Sequence, residues 1–139
     1  MSDCINERDI RVGNYLKSIT TDYPCKVLGI SPGPNGYTIM DQNGTVSPLT
    51  TRAQIPVTTE LLAKNGFTNV AKIIDSKDFW VMEADKNSPR RLLFFVDFDH
   101  IHYSMGYNSY IIPLGVLKYL DQLQNIYFTY MRRELEVVI

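Results

Sequence analysis

Turn signals recur about every ten residues through the first part of this chain, and that spacing restricts it to short antiparallel strands there. Gly13-Asn14, Pro32-Gly33-Pro34-Asn35-Gly36 and Asn43-Gly44 cut the segment into pieces too short for a stable helix. Between them lie Ile10, Val12, Tyr15 and Leu16, then Cys25-Lys26-Val27-Leu28-Gly29-Ile30, Tyr37-Thr38-Ile39-Met40 and Thr45-Val46-Ser47. Each reads as a strand. Asp41-Gln42-Asn43-Gly44 reads as a hairpin turn, because Asn-Gly accepts the positive φ that tight hairpins require. The pattern predicts a small curved β-module over residues 1–50, either an SH3-like barrel or a curled meander.

The periodicity then changes, which places a boundary between about residues 48 and 57. Residues 58–65 have the punctuation of a short helix: Thr58 as cap, Glu60 in the positive first turn, Lys64 near the negative end, and Gly66 to close it. Phe79 to Glu83 and Arg91 to Asp97 predict antiparallel strands around a Lys86-Asn87-Ser88-Pro89 turn. The meander extends over about residues 79–112, across a second turn at Gly106-Tyr107-Asn108. A 3.6-residue period returns over about residues 114–131. Val116, Leu120, Leu123, Tyr127 and Tyr130 fall on one face, with Lys118, Asp121, Gln122, Asn125 and Thr129 on the other. Residues 134–139 predict a final strand. The expectation is an α+β chain, with residues 1–50 as the N-terminal module and 51–139 as an α+β module, packed as one domain or standing as two.

Composition bears on what such a chain can do. Fourteen Lys/Arg against fifteen Asp/Glu leave a formal charge of -1, too little field for bulk attraction to nucleic acid or anionic lipid. No apolar run approaches the roughly 20 residues that span a bilayer. The polar, acidic opening of the chain is unlike a signal peptide, so a cytoplasmic protein is expected, with no membrane partner. Two cysteines, Cys4 and Cys25, permit one internal bridge at most and no four-thiolate zinc site.

Three segments carry a resemblance. They are Arg11-Val12-Gly13-Asn14-Tyr15, the stretch from Ile55-Pro56-Val57-Thr58 through Gly66-Phe67, and Tyr119-Leu120 with Gln122-Leu123-Gln124-Asn125-Ile126-Tyr127-Phe128, followed by Glu134-Leu135. Together they resemble a widespread family of small bacterial proteins, frequent in phage, prophage and other mobile-element gene sets. Its segments read R-x-G-N-Y, P-I-P-L-T-E-E-x-L-x-x-x-G-F, and Y-V-H-Q-L-Q-N-L-Y-F with a following T-G-E-E-L. This chain departs at Asp121, where the family has His, and at Arg132, where it has Gly. The first departure removes a histidine that cannot be carried over as a catalytic or metal residue, and the second implies a different helix ending. The family has no agreed activity, so the resemblance implies context and architecture rather than chemistry.

The candidate sites are few. On one strand, His100 and His102 would share a face and Asp97 and Asp99 the other. A His-x-His pair can bind a metal only if a third ligand converges on it; otherwise these are ordinary sheet-edge residues. Cys25 lies within an apolar strand, where a thiol is inert. No phosphate-cradling loop or nucleophile elbow is present, so no catalytic residue and no cofactor is expected. Arg8, Arg11, Lys17 and Lys26 with Tyr15, Tyr23 and Tyr37 offer a nucleic-acid edge on the first module, opposed by five acids in the same segment. Tyr103, Tyr107 and Tyr110, among Ser, Met, Gly and Asn, have the composition of a binding surface.

The leading expectation is therefore a non-enzymatic accessory protein that binds another macromolecule, with a protein partner foremost and a second copy of the chain as one possibility. The alternatives are a nucleic-acid-binding regulator using the first module, and a small metal-dependent hydrolase at His100 and His102.

Overall fold

The computed structural model describes residues 10–69, 78–83, 90–97, 100–107 and 110–139. It is an α+β chain with two antiparallel five-stranded sheets. It forms two units: residues up to Pro56 with Tyr119–Asn125, and Val57–Lys118 with Ile126–Ile139.

In the first unit, β1 (Tyr15–Ser18), β2 (Pro24–Gly33), β3 (Gly36–Asp41) and β4 (Val46–Pro48) follow one another as a meander. A 3-10 turn, Leu49–Thr51, leads into β5 (Arg52–Gln54), which pairs with β1. The order is β4-β3-β2-β1-β5. No barrel closes, because β4 and β5 stand at opposite edges as separate three-residue strands. A register shift between Val27 and Gly29 bends β2 and turns Leu28 outward. Alternation before the bulge buries Leu16, Cys25 and Val27, and the shift brings Ile30 onto the same face, where they pack with Ile10, Ile39 and Leu49. The β3–β4 turn uses Gly44 at φ +78, and the Asp41 carboxylate accepts the Asn43 and Thr45 amides at 2.9 and 3.1 Å.

In the second unit, α1 (Thr59–Lys64) begins where Thr58 Oγ1 accepts the Leu61 amide at 3.1 Å. It ends in the glycine-closed turn expected from sequence: Gly66 has φ +86, and the Phe67 amide donates to the Leu62 carbonyl at 3.1 Å. The second sheet comprises β6 (Thr68–Asn69), β7 (Asp78–Glu83), β8 (Arg90–Asp97), β9 (His100–Tyr107) and β10 (Tyr110–Leu117), ordered β10-β9-β8-β7-β6. One face buries Leu92, Phe94, Ile101 and Leu117, with Phe67 set edge-on to Phe94 at 5.0 Å.

The last helix, α2, spans Leu120–Met131, its first six residues in the first unit and the rest in the second. Its start corrects the expected helix over residues 114–131. Residues 114–117 continue β10, because Val116 registers with His102 and Leu117 with Ile101, and that pairing buries Leu117. The expected polar face is also revised. Asp121 and Gln124 are fully buried in the first unit, where Gln54 donates to both Asp121 carboxylate oxygens at 3.3 and 3.0 Å. Nor is there a final strand at 134–139. Side-chain bonds substitute for a ladder there: the Asn65 amide donates to the Val138 carbonyl at 2.8 Å, and its oxygen accepts the Val138 amide at 2.7 Å.

Candidate binding surface

The register of β9 against β10 assembles the exposed end of the second sheet. Tyr107 lies directly opposite Tyr110, and Met105 opposite Ile112, so all four belong to one face. Tyr110 is 72% exposed, Tyr107 47% and Ile112 53%. Ile111 and Val116, on the opposite face of β10, are 44% and 41% exposed. Tyr103 does not join them. Its ring covers Gly115, where an added Cβ would lie 3.2 Å from Tyr103 Cε1, so it packs within the hairpin.

Two of the three tyrosines read from the sequence are therefore brought together and the third is structural. The sequence reading missed Ile111, Ile112 and Val116. Their signal was charge: no Asp, Glu, Lys or Arg occurs from His100 to Leu117. β10 is also an edge strand, but Pro113 lacks an amide donor and the register shifts between Pro113 and Gly115. A continuous added strand is thereby disfavoured, which leaves recognition to side chains.

His102 is held by stacking. His102 lies parallel to Phe95, centroids 4.9 Å apart and planes at 11°, while Phe95 neighbours Phe79 at 5.8 Å. His100 is 6.4 Å from His102. Asp97 belongs to β8 and registers opposite His100, so it does not share a strand with the histidines as expected; Asp99 lies outside the described residues. Among the described residues, no group of three His, Cys, Asp or Glu is placed to hold a metal ion.

The basic edge expected on the first module is assembled only in part: the β1–β2 register sets Tyr15 opposite exposed Lys26 on the face that also carries Lys17, while Tyr23 and Tyr37 stand exposed. Arg8 lies outside the described residues. Arg11 turns onto α2 instead, its Nε donating to Asn125 Oδ1 at 2.6 Å and a terminal nitrogen to the Gln124 carbonyl at 3.2 Å. Asn14 Nδ2 donates to Asn125 Oδ1 at 2.9 Å. Gln124 accepts the Tyr15 amide and donates to the Gly13 carbonyl, both at 2.8 Å. Arg11-Val12-Gly13-Asn14-Tyr15 and Gln124-Asn125, read separately in the sequence, are thus two halves of one polar clamp. Lys17 pairs with Asp22 at 3.6 Å.

Cys25 sits in the first core, where burial pushes its thiol pKa up against the opposing pull of Arg52; Asp41 adds to the rise. A cavity of about 440 Å³ lies in the second unit, lined by Lys64, Met82, Tyr127, Arg133 and Glu136 among others. Arg133 Nε donates to the Tyr127 hydroxyl at 2.9 Å, and Lys64 and Arg133 are balanced by Glu134 and Glu136, so the cavity has no anion-selective field. No helix among the described residues is long and apolar enough to cross a membrane. No family model, curated protein or solved structure matches the chain.

Proposed function

We propose that this chain is a non-enzymatic binding protein of the cytoplasm that engages a protein partner through the β9–β10 end of its second sheet. The observation that carries this reading is the cluster of Tyr107, Tyr110 and Ile112 on one face of the β9–β10 hairpin. Two large aromatic side chains and one aliphatic stand exposed together there, in a hairpin without formal charge. Exposed apolar groups concentrated on one hairpin are characteristic of contact surfaces, and tyrosine supplies broad contact at low entropic cost. The residues with reactive chemistry have other work. Cys25 fills the first core, His102 stacks on Phe95, and Arg11 closes the clamp. The resemblance to phage and mobile-element proteins supplies an accessory context for such a role.

A photo-crosslinking amino acid placed at Tyr107, with the same residue at exposed Val12 as the comparison, tests this in cells. A discrete protein adduct is expected from position 107 and not from position 12. Equal labelling from both positions, or no adduct at 107, refutes the surface.

A further inference from the structure

We infer that residues 134–139 occupy a cleft of the second unit as an exchangeable strap, and that the cleft takes in their place an extended, leucine-anchored segment of a partner protein. None of the residues involved belongs to the β9–β10 surface, so neither proposal depends on the other. The first observation is how the strap is held. Asn65, buried at the end of α1, donates from Nδ2 to the Val138 carbonyl at 2.8 Å and accepts the Val138 amide at Oδ1 at 2.7 Å. Both groups of one residue point the same way when the chain is extended, as in a hydrogen-bonded strand pair. A carboxamide offers the matching donor and acceptor, so it recognises that backbone whatever side chain the residue carries. Nδ2 also donates to the Leu61 carbonyl at 2.8 Å, which holds the group in place from within its own helix.

The second observation is how little else buries the strap. Within 134–139 Leu135 alone is buried, Glu134, Glu136, Val138 and Ile139 are exposed, and the segment belongs to no strand. It lines the cavity of about 440 Å³ rather than filling it, together with Lys64, Met82 and Tyr127. A close-packed interior leaves few voids larger than a water molecule. The strap is therefore not close-packed along its length, and such segments open locally while the rest of a fold stays intact. When it lifts, the buried Asn65 amide loses its pair of backbone partners and the place of Leu135 falls vacant. A second extended chain with a leucine three residues before a free backbone amide satisfies both at once.

A synthetic peptide, Arg-Glu-Leu-Glu-Val-Val-Ile, copying residues 133–139, tests this on the intact chain. A tethered segment competes at an effective concentration on the order of millimolar, so about 5 mM peptide is expected to displace it and to speed hydrogen exchange of the Val138 amide by about tenfold or more. The same peptide N-methylated at the residue copying Val138 lacks the hydrogen that Asn65 accepts, and should leave that rate unchanged. Leu135→Ser removes the strap's own anchor. A fluorescent copy of the peptide should bind this variant, shown by circular dichroism to be folded, about tenfold or more tightly than it binds the native chain. An unchanged Val138 rate overturns the inference, and so does equal action by the N-methylated peptide. Both of these results need only the native chain, so they decide the matter even where Leu135→Ser fails to fold. A folded Leu135→Ser that binds the peptide no more tightly than the native chain also overturns it.

Discussion

Replacing Gln124 tests whether the clamp between the Arg11–Tyr15 segment and α2 holds the first unit together. The Gln124 side chain is buried and makes two short bonds, accepting the Tyr15 amide and donating to the Gly13 carbonyl. A typical intramolecular hydrogen bond contributes about 1 kcal/mol net, so their loss in Gln124→Ala costs about 2 kcal/mol. Two backbone groups are also stranded. The desolvation penalty for such a group is about 1–3 kcal/mol; Tyr15 and Gly13 are partly exposed, so its lower end applies to each. The expected loss is about 3–4 kcal/mol, a large fraction of the 5–15 kcal/mol typical of a domain. Urea denaturation followed by circular dichroism measures it, and amide exchange at Tyr15 localises it. Protection there should fall by more than about a hundredfold.

Gln124→Glu sharpens the test. An ionised carboxylate still accepts from Tyr15 but cannot donate to the Gly13 carbonyl, whereas a protonated carboxyl does both. Burial and the need for a donor therefore raise the folded-state pKa of the introduced carboxyl above the ordinary glutamate value of about 4.3. A raised folded pKa means that stability is retained at low pH and lost as pH climbs through that value. The deficit of Gln124→Glu against the native chain should thus widen between about pH 4 and pH 7. A Gln124→Ala loss below about 0.5 kcal/mol, within the range of ordinary surface substitutions, refutes the clamp. So does a pH-independent gap for Gln124→Glu.

Three further outcomes follow from the geometry. Arg132 sits at φ +62 after α2, its amide donating to the Phe128 carbonyl at 3.0 Å; Arg132→Gly removes about 1–2 kcal/mol of left-handed strain and returns about 0.4–1 kcal/mol as chain entropy. A melting temperature that rises by a few degrees confirms this, and one that falls refutes it. Asn65→Ala removes three side-chain bonds, one to Leu61 and two to Val138; it should cost about 2–3 kcal/mol and release the last residues to carboxypeptidase. Unchanged digestion would contradict that anchoring role. Burial raises the Cys25 pKa from its ordinary value of 9.0, so the native state holds this proton more tightly than the unfolded chain and stability declines as pH passes 9.0. Cys25→Ala should decline less steeply over that range, and identical slopes would show that the thiol contributes nothing.

The fold was legible where local chemistry decides it. Thr58, Gly66 and Asn43-Gly44 each encode a cap or turn within four residues, and the structure uses each as expected. It was illegible where partners distant in sequence decide. Val116 and Leu117 fit a helical period, yet pairing with His102 and Ile101 draws them into β10. Asp121 read as solvent-facing because periodicity counts polar residues as outward, and the burial of Gln124 carried no local signal. Their partners, Gln54 and residues 13–15, lie more than sixty positions away. The candidate surface was half legible for a related reason. Tyrosine composition marked the hairpin, but only the register separates Tyr107 and Tyr110 from Tyr103, whose ring is committed to Gly115.

That division bears on what the resembling segments encode. Arg11, Asn14, Gln124 and Asn125 spend their hydrogen-bonding groups on one another and on the backbone between them. Thr58, Gly66 and Phe67 shape and close α1. A chain sharing only these segments would inherit the scaffold, since removing any of these groups strands a polar partner or opens a helix end. It would not thereby inherit a ligand. The exposed residues of the proposed surface, Tyr107, Tyr110 and Ile112, lie outside all three segments. Selection on them can proceed without disturbing the clamp, because β10 at the sheet edge contributes side chains there that nothing else in the hairpin requires. If the proposed contact surface holds, two chains alike in the clamp but unlike at positions 107–112 should associate with different surfaces.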